Sequence, residues 1–502
     1  EGLAMTTTHT EHSISLVLPS HRDLYYGGQW HKPVDANEVE VFAPGTGQSL
    51  GKVAVAGNAD VDAAVAHAVK GFDTWRNTPP LARARILKQI AAKLREHTQE
   101  IALLDAADCG NPVKEMGADV LTAAALFEFF AGLVTEMKGD TIPMGPDAVN
   151  LTVREPVGVT VRIVAFNHPF LFAAGKSAAP LAAGNAVIIK PPEQASLSAL
   201  RLAEIIGDML PPGVFSVLPG DADAGAALVS HPDVAMVGLV VSVATGRAVM
   251  KMAADTLKPV QLELGGKNAF IAWPDVDPET VAQAIVDGMN YTWCGQSCGS
   301  TSRAFVHADI YEAVIEHIKR YCAQYVPGDP THPDTTMGAV INATQHQKIL
   351  DYIESAHEEG ARLIYGGGVP VDPVLKDGFF VEPTVFADVT PDMRLAREEV
   401  FGPILAVMKW TDEQDVIAQA NALDYGLTCA LWTNDLEKAH RAAGEVKAGA
   451  VWVNEVGKHF LGAPYGGNKQ SGIGRDECIG EMFAFTQEKN IHISLRRVAA
   501  KT

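Results

Sequence analysis

Cys298 sits in Gly295-Gln296-Ser297-Cys298-Gly299-Ser300, among small polar residues with glycine on both sides. A structural cysteine is usually set among apolar residues. These flanks instead predict a loop open to a substrate, with backbone N–H groups free to donate. A thiol attacks as the thiolate, so it needs a positive potential or a base nearby. Glu263-Leu264-Gly265-Gly266-Lys267 offers a carboxylate at the end of a β-type run (Val260, Leu262), followed by two glycines where another backbone can approach. A thiol and a carboxylate in one site divide labour, one attacking carbon and the other activating water. Read alone, the second motif fits equally a turn with a solvated Glu and Lys. In Phe166-Asn167-His168-Pro169-Phe170, the Asn167 amide can donate to a developing oxyanion without changing charge. Ile188-Ile189-Lys190-Pro191-Pro192-Glu193 sets a cation and a carboxylate just after a β-type run. Cys294, four residues before Cys298, reads as core filler or an oxidation partner.

Such groups need elements to hold them. Helices are predicted over 60–72 (Val61, Val65, Val69 and Phe72 on one face), after Pro79-Pro80 (Leu81, Ile86, Ile90, Leu94), and over 119–138, the last buried. From residue 157 the pattern changes. Strands at 157–165, 186–189, 215–218 and 234–241 alternate with helices at 196–209, 222–230 and 245–255. The alternation resumes over 302–453, with strands at 303–306, 362–365 and 405–409, a helix ending at 325 and another at 344–359. Alternation of this kind predicts βαβ units, hence two α/β domains with parallel sheets whose C-terminal strand ends collect ligands. The Pro/Gly-rich stretch 366–383 reads as a surface excursion.

Composition excludes several classes. A chain of 502 residues suggests about three folding units. Hydrophobic residues at 47% and charged residues at 20% are ordinary for a globular protein. With 40 Lys and Arg against 60 Asp and Glu, the formal charge of −20 makes nucleic acid and anionic membranes poor partners. The longest strongly apolar stretch, 234–244, is about eleven residues, too short to span a bilayer. Residues 6–12 lack a basic-then-apolar secretory pattern. Six cysteines are too sparse for a disulfide framework, and neither HExxH nor paired CxxC motifs signal zinc. A soluble, cytoplasmic protein is expected, with no metal.

Taken in order, these segments resemble the NAD(P)-dependent aldehyde dehydrogenase superfamily over 25–495. The resemblance rests on Phe166-Asn167-His168-Pro169-Phe170, Lys190-Pro191-Pro192-Glu193-Gln194, Glu263-Leu264-Gly265-Gly266-Lys267 and Gly295-Gln296-Ser297-Cys298. It continues in Glu398-Glu399-Val400-Phe401-Gly402-Pro403 and in Pro464-Tyr465-Gly466-Gly467 with Ser471-Gly472. The implied fold is α/β: two Rossmann-like parallel-sheet domains plus a small β oligomerisation flap. The cofactor domain would take 15–138 and 157–262, the catalytic domain 263–470 and the flap 139–156 and 485–500, giving a homodimer or homotetramer. Residues 1–14 would be a tag remnant and a disordered N-terminus.

The resemblance also implies roles. Cys298 is the nucleophile, and the Asn167 amide with the Cys298 backbone N–H holds the oxyanion. Hydride leaves to the nicotinamide, and Glu263 activates water to hydrolyse the thioester on Cys298. Lys176 supports the charge balance. Asp476 occupies a proton-relay position at which many relatives carry the longer Glu. Lys190 and Glu193 match the pair that contacts the adenine ribose, where a carboxylate favours NAD over NADP and Lys190 partly offsets that preference. Glu399 matches the nicotinamide-ribose contact, Phe401 packs near the ring, and Phe166 and Gly265 complete the cofactor set. Ser242 would meet the pyrophosphate at a helix N-terminus. One departure stands beside it: Val241 replaces the glycine usual before that serine, and a branched side chain there is expected to hinder close backbone approach. Around the substrate, His168, Phe172, Gly175, Trp293, His459 and Tyr465 are expected. Gly175 replaces a bulky aromatic and so predicts room for a bulky or aromatic aldehyde.

Two other classes compete. One is a cysteine-dependent acyltransferase or esterase, coenzyme A-acylating relatives included. The other is a non-catalytic structural protein on the same fold. Glu263 argues against the first, because an activated water diverts the thioester. The joint presence of Cys298, Asn167 and Glu263 argues against the second, which only Val241 favours.

Overall fold

The computed structural model describes residues 15–496. The expected tag remnant and tail at 1–14, and residues 497–500 of the expected flap, lie outside them. Two large sheets organise the chain. The first has eight strands in the order Gly472–Ile473, Val260–Glu263, Val234–Val240, Val159–Ile163, Ala186–Lys190, Phe215–Val217, Leu24–Tyr26 and Gln29–His31. The five from Val260–Glu263 to Phe215–Val217 run parallel, and antiparallel strands close both edges. The second has seven: Arg362–Tyr365, Thr384–Ala387, Ile404–Trp410, Arg303–His307, Ala269–Ala272, Thr428–Trp432 and Ala450–Val453. All its pairs are parallel except the first. A third, antiparallel sheet joins Thr486–Ser494, Ala148–Pro156 and Thr141–Ile142. The fold is therefore the expected α/β arrangement of two Rossmann-like units plus a small sheet.

The central parallel strands are buried and mostly apolar because helices cover both faces; every residue of Ala186–Lys190 is buried, Lys190 at its C-terminal end included. Glu263 closes a strand of the first sheet and Ala269 opens one of the second, so the five residues 264–268 are the entire link between the two. The strand Gly472–Ile473 returns to pair with Leu262 and Glu263. Both the carboxylate motif and the later glycine motifs thus lie where the two sheets meet.

Several elements depart from expectation. The first helix runs Asn58–Arg76 and buries Trp75, while Val69 is exposed. In Pro80–Glu96 the buried stripe is Leu87, Ile90 and Leu94, and Leu81 at the first turn points to solvent. The helix Thr98–Cys109 was not predicted, because it is buried on nearly every side and carries no amphipathic period. The next helix begins at Val113, just after Pro112, and ends at Leu133, rather than spanning 119–138. Together with its last turn it forms a 24-residue segment, Val113–Glu136, long and apolar enough to cross a bilayer, which corrects the eleven-residue limit read from the sequence. Half of its most apolar window is buried, and Val120, Phe127 and Phe130 lie in the core. The stretch 366–383 is irregular around one short turn, Pro373–Leu375, with Val371 and Val374 exposed.

Candidate active site

The loop carrying Cys298 is pinned from several directions. Asn290 and Cys294 take left-handed backbone angles (φ 57° and 54°), as does Gly295 (φ 62°), where a side chain would collide with the Gly402 carbonyl. Asn268 Nδ2 donates to the carbonyls of Cys298 (2.7 Å) and Ser300 (2.9 Å), and its Oδ1 accepts from Thr428 N–H (3.0 Å). Gln296 Oε1 accepts from Ile341 N–H at 3.2 Å. Cys298 itself is half-buried. Cys294 is wholly buried, its Sγ donating to the Gly338 carbonyl at 3.0 Å, which is the core-filling reading.

Asn167 reaches the same loop. Its Nδ2 donates to the Gln296 carbonyl at 2.9 Å, which fixes the amide orientation because the reverse would set oxygen against oxygen. One N–H remains for another acceptor. Asn111 Nδ2 donates to the Asn167 carbonyl at 2.7 Å and holds its backbone. Asn111 and Asn268 both position the site, and neither was picked out from the sequence.

Glu263 is 7% exposed, and its Oε1 has no hydrogen-bond partner. Burial pushes its carboxyl well above the usual range, nearby Asp476 adds to that, and Lys176 opposes it. Burial likewise pushes the Cys298 thiol up, reinforced by Glu263 and Glu399 and opposed by Lys176. Asp476 behaves differently: burial would raise it, but Lys176 and Arg162 hold it below the usual carboxylate value. Lys176 Nζ lies 2.6 Å from Asp476 Oδ2, and Gln261 Nε2 donates to the other oxygen, so the short side chain still meets both partners. Glu481 and Arg162, each 2% exposed at the side chain and 3.9 Å apart, extend this buried network.

The residues expected to hold a cofactor fall into three groups. At one, Gly266 N–H donates to Glu399 Oε1 at 2.9 Å, and a side chain at Gly265 would collide with the same carboxylate. Phe401 beside it holds a left-handed backbone (φ 55°) while Gln345 Nε2 caps the carbonyls of Val400 and Phe401, and its ring meets Phe166 edge-on at 5.8 Å. At the second, Lys190 Nζ, buried so that its proton affinity falls, lies 3.9 Å from Glu193 Oε2. At the third, exposed Ser242 caps the helix Val243–Ala254, its Oγ accepting from Thr245 N–H at 3.3 Å. Val241 takes no left-handed angle; its N–H donates to the Glu263 carbonyl and its side chain packs on the core, so valine fits this turn without backbone strain. Glycine is required instead at Gly246, where a Cβ would come within 2.7 Å of Leu264. An exposed helix N-terminus, a cation–carboxylate pair and a carboxylate admitted by glycine are donors and acceptors suited to a dinucleotide.

The residues expected around the substrate fall into two side-chain clusters, with Gly175 apart from both. His168 Nδ1 is 2.7 Å from Asp119 Oδ2, and its ring lies 5.4 Å from both Phe172 and Trp293. In the second cluster the Tyr465 hydroxyl lies 3.1 Å from where Gly299 would carry a Cβ, and the His459 ring packs at a tilt against Tyr465 at 4.2 Å while pairing with Glu477. Gly175 does not open the expected room. A Cβ there would lie 2.7 Å from Leu126 Cδ1, so the helix Val113–Leu133 already fills that direction.

The chain's likeness to known proteins agrees with this geometry. A model of the aldehyde dehydrogenase family matches residues 30–491. Aldehyde dehydrogenase tropH of Talaromyces stipitatus is 49% identical over 491 residues, covering 96% of this chain and 95% of that protein. Among solved structures, the aldehyde dehydrogenase KauB from Pseudomonas aeruginosa superposes with a TM-score of 0.93 at 34% identity, covering 96% of this chain and 97% of that one. The indole-3-acetaldehyde dehydrogenase AldA of P. syringae, solved with NAD+ and IAA, gives 0.92 at 32%, over 96% and 97%. Sequence, fold and the site at the junction of the two sheets converge over nearly the whole length, and the chain belongs to the aldehyde dehydrogenase family of enzymes.

Proposed function

We propose that this enzyme oxidises a bulky or aromatic aldehyde to the carboxylic acid, with NAD preferred over NADP, through covalent intermediates on Cys298. The observation that carries this reading is the nearness of the half-buried Cys298 thiol to the buried Glu263 carboxyl, beside an Asn167 amide with one N–H to spare.

Cys298 Sγ adds to the aldehyde carbon as its proton leaves through water to solvent. The free Asn167 N–H and the Cys298 backbone N–H donate to the oxygen as it becomes anionic. Bound NAD supplies the acceptor for the hydride that leaves this carbon. A thioester then remains on Cys298. Glu263 takes a proton from water, the water oxygen attacks the thioester carbon, and the carboxylic acid leaves as Cys298 regains its proton. Lys176 and Asp476, paired at 2.6 Å, keep the charge beside Glu263 balanced while it gains and loses that proton.

The preference for NAD follows from Glu193, whose carboxylate suits a ribose hydroxyl and repels a phosphate. Phe172, Trp293 and Tyr465 favour a flat ring. The small sheet of Ala148–Pro156 and Thr486–Ser494 is the surface for a homodimer or homotetramer, and the free cysteines suit a reducing, cytoplasmic setting. Reduced-cofactor formation on benzaldehyde and on acetaldehyde, with NAD and NADP in parallel, tests the reading. Higher kcat/KM with benzaldehyde and NAD supports it; equal efficiency on both aldehydes removes the substrate preference.

A further inference from the structure

His168 follows directly on Asn167, whose amide donates to the Gln296 carbonyl two residues before Cys298, and its ring lies 5.4 Å from Trp293, five residues before Cys298 on the same loop. Three features fix the imidazole: Nδ1 at 2.7 Å from Asp119 Oδ2, the Phe172 ring at 5.4 Å and the Trp293 indole at 5.4 Å. Nδ1 donates to the Asp119 carboxylate, which sets the orientation of the ring and leaves Nε2 on its far side. The second nitrogen, Nε2, has no protein partner among the described residues, and the side chain keeps 15% exposure. Independently, Trp293 Nε1 is buried with no partner. The Trp293 indole N–H and the His168 Nε2, which carries an N–H when the ring is charged, therefore stand unmet on neighbouring side chains. A buried donor left without an acceptor carries a desolvation penalty that a matching ligand oxygen removes.

We propose that His168, held by Asp119 and seconded by Trp293, selects aldehydes whose ring bears a neutral oxygen substituent, such as a phenolic, ether or keto oxygen, as hydrogen-bond acceptor. The inference rests on the reading of the site as one for ring-bearing aldehydes. Carboxylates beside the pair disfavour an anionic substituent: Asp119 and Glu115 act on His168 from the helix Val113–Leu133, with Lys114 offsetting Glu115, and Asp105 on Thr98–Cys109, whose carboxyl burial raises to about 7, adds its charge above that pH. Burial lowers the proton affinity of His168, but Asp119, Asp105 and Glu115 together outweigh that and raise it. Below that raised value both nitrogens carry protons and Nε2–H donates. Above it Asp119 retains the Nδ1 proton, and Nε2 becomes an acceptor only.

The test compares kcat and KM for benzaldehyde, 3-methoxybenzaldehyde and 3-hydroxybenzaldehyde in the wild type, His168→Phe, His168→Gln and Asp119→Asn. The wild type should prefer both oxygenated aldehydes over benzaldehyde by roughly ten- to a hundredfold in kcat/KM, mainly through KM, since a hydrogen bond from a charged donor is worth that much. His168→Phe should erase the preference, whatever its effect on benzaldehyde itself, and a melting curve on the same preparation shows that the variant folds. His168→Gln, which keeps an N–H donor, should restore part of it, and Asp119→Asn should weaken it. The methoxy preference, which needs a donor, should fall as pH rises through the His168 titration, whereas the hydroxyl preference should persist. Equal losses on all three aldehydes in His168→Phe, or a wild type indifferent to the substituent, overturn the inference and leave the ring-aldehyde reading intact. A wild type that turns over short aliphatic aldehydes and none of the three aromatic ones overturns both.

Discussion

Asn268 holds the backbone of Cys298: its Nδ2 lies 2.7 Å from the Cys298 carbonyl and 2.9 Å from that of Ser300, while its Oδ1 accepts the Thr428 N–H. One side chain at the end of the link between the two sheets thus ties the nucleophile loop to the second sheet. Asn268→Ala frees two carbonyls and strands a buried N–H, at a cost of about 1–3 kcal/mol. Its kcat should fall about a hundredfold, the scale set by small misplacements of reacting groups, with KM changing less. Steady-state kinetics with a melting curve on the same preparation checks both.

Gly265 exists for Glu399. A methyl group at Gly265 would occupy the space of the Glu399 carboxylate, so Gly265→Ala must displace the carboxylate assigned to the nicotinamide ribose. KM for NAD should rise about tenfold or more, the loss of one good hydrogen bond to a charged group. Hydrolysis of p-nitrophenyl acetate needs Cys298 but no cofactor and should stay near the wild-type rate.

How much of this was legible in the chain follows from distance along it. Cys298, Glu263 and Asn167 each sit in a short local motif that can be picked out of the sequence, though its role comes only from the resemblance of the whole set, and alternating strands and helices announce two parallel sheets. Asn268 is adjacent to such a motif, yet its partners lie 30, 32 and 160 residues away, and no local pattern encodes them. The same holds for Asp119 with His168, 49 residues apart, and for Arg162 with Glu481. Gly175 shows the converse error. Exchanging a ring for glycine suggests space, but whether space results depends on Leu126 of a distant helix. The helix Thr98–Cys109 escaped because a segment buried all round has no polar face to give it a period.

Glu263→Gln keeps the shape and removes the base. Acylation should outlast hydrolysis, so rapid mixing should show a burst of about one NADH per active site, followed by turnover slowed about a hundredfold or more. Burial raises the Glu263 carboxyl, so the wild-type base form fills only as pH climbs past the ordinary carboxylate range. Wild-type turnover should therefore rise with pH, and the variant should lose that limb.

Asp105 lies beneath the loop of Asn167, its Oδ2 accepting the Phe170 N–H at 3.1 Å. Burial raises its carboxyl to about 7, tempered by the hydrogen bond from the Phe170 N–H. A folded value above the unfolded one means that the stability it lends is full below about 4 and is lost as pH rises toward 7. Asp105→Asn still accepts from Phe170 and carries no such loss. Its Tm relative to wild type should climb between pH 4 and 7, at no more than about 1.4 kcal/mol per pH unit. A difference independent of pH would show that Asp105 ionises normally in the fold.

The central claim is covalent catalysis by Cys298. Purified wild type and Cys298→Ala, with melting curves to confirm that both fold, are compared for NADH formation from benzaldehyde and for p-nitrophenyl acetate hydrolysis. Both activities should be present in the wild type and absent from the variant, a loss of at least about a thousandfold. NADH formation by a folded Cys298→Ala at more than a few per cent of the wild-type rate would contradict the assignment of the nucleophile.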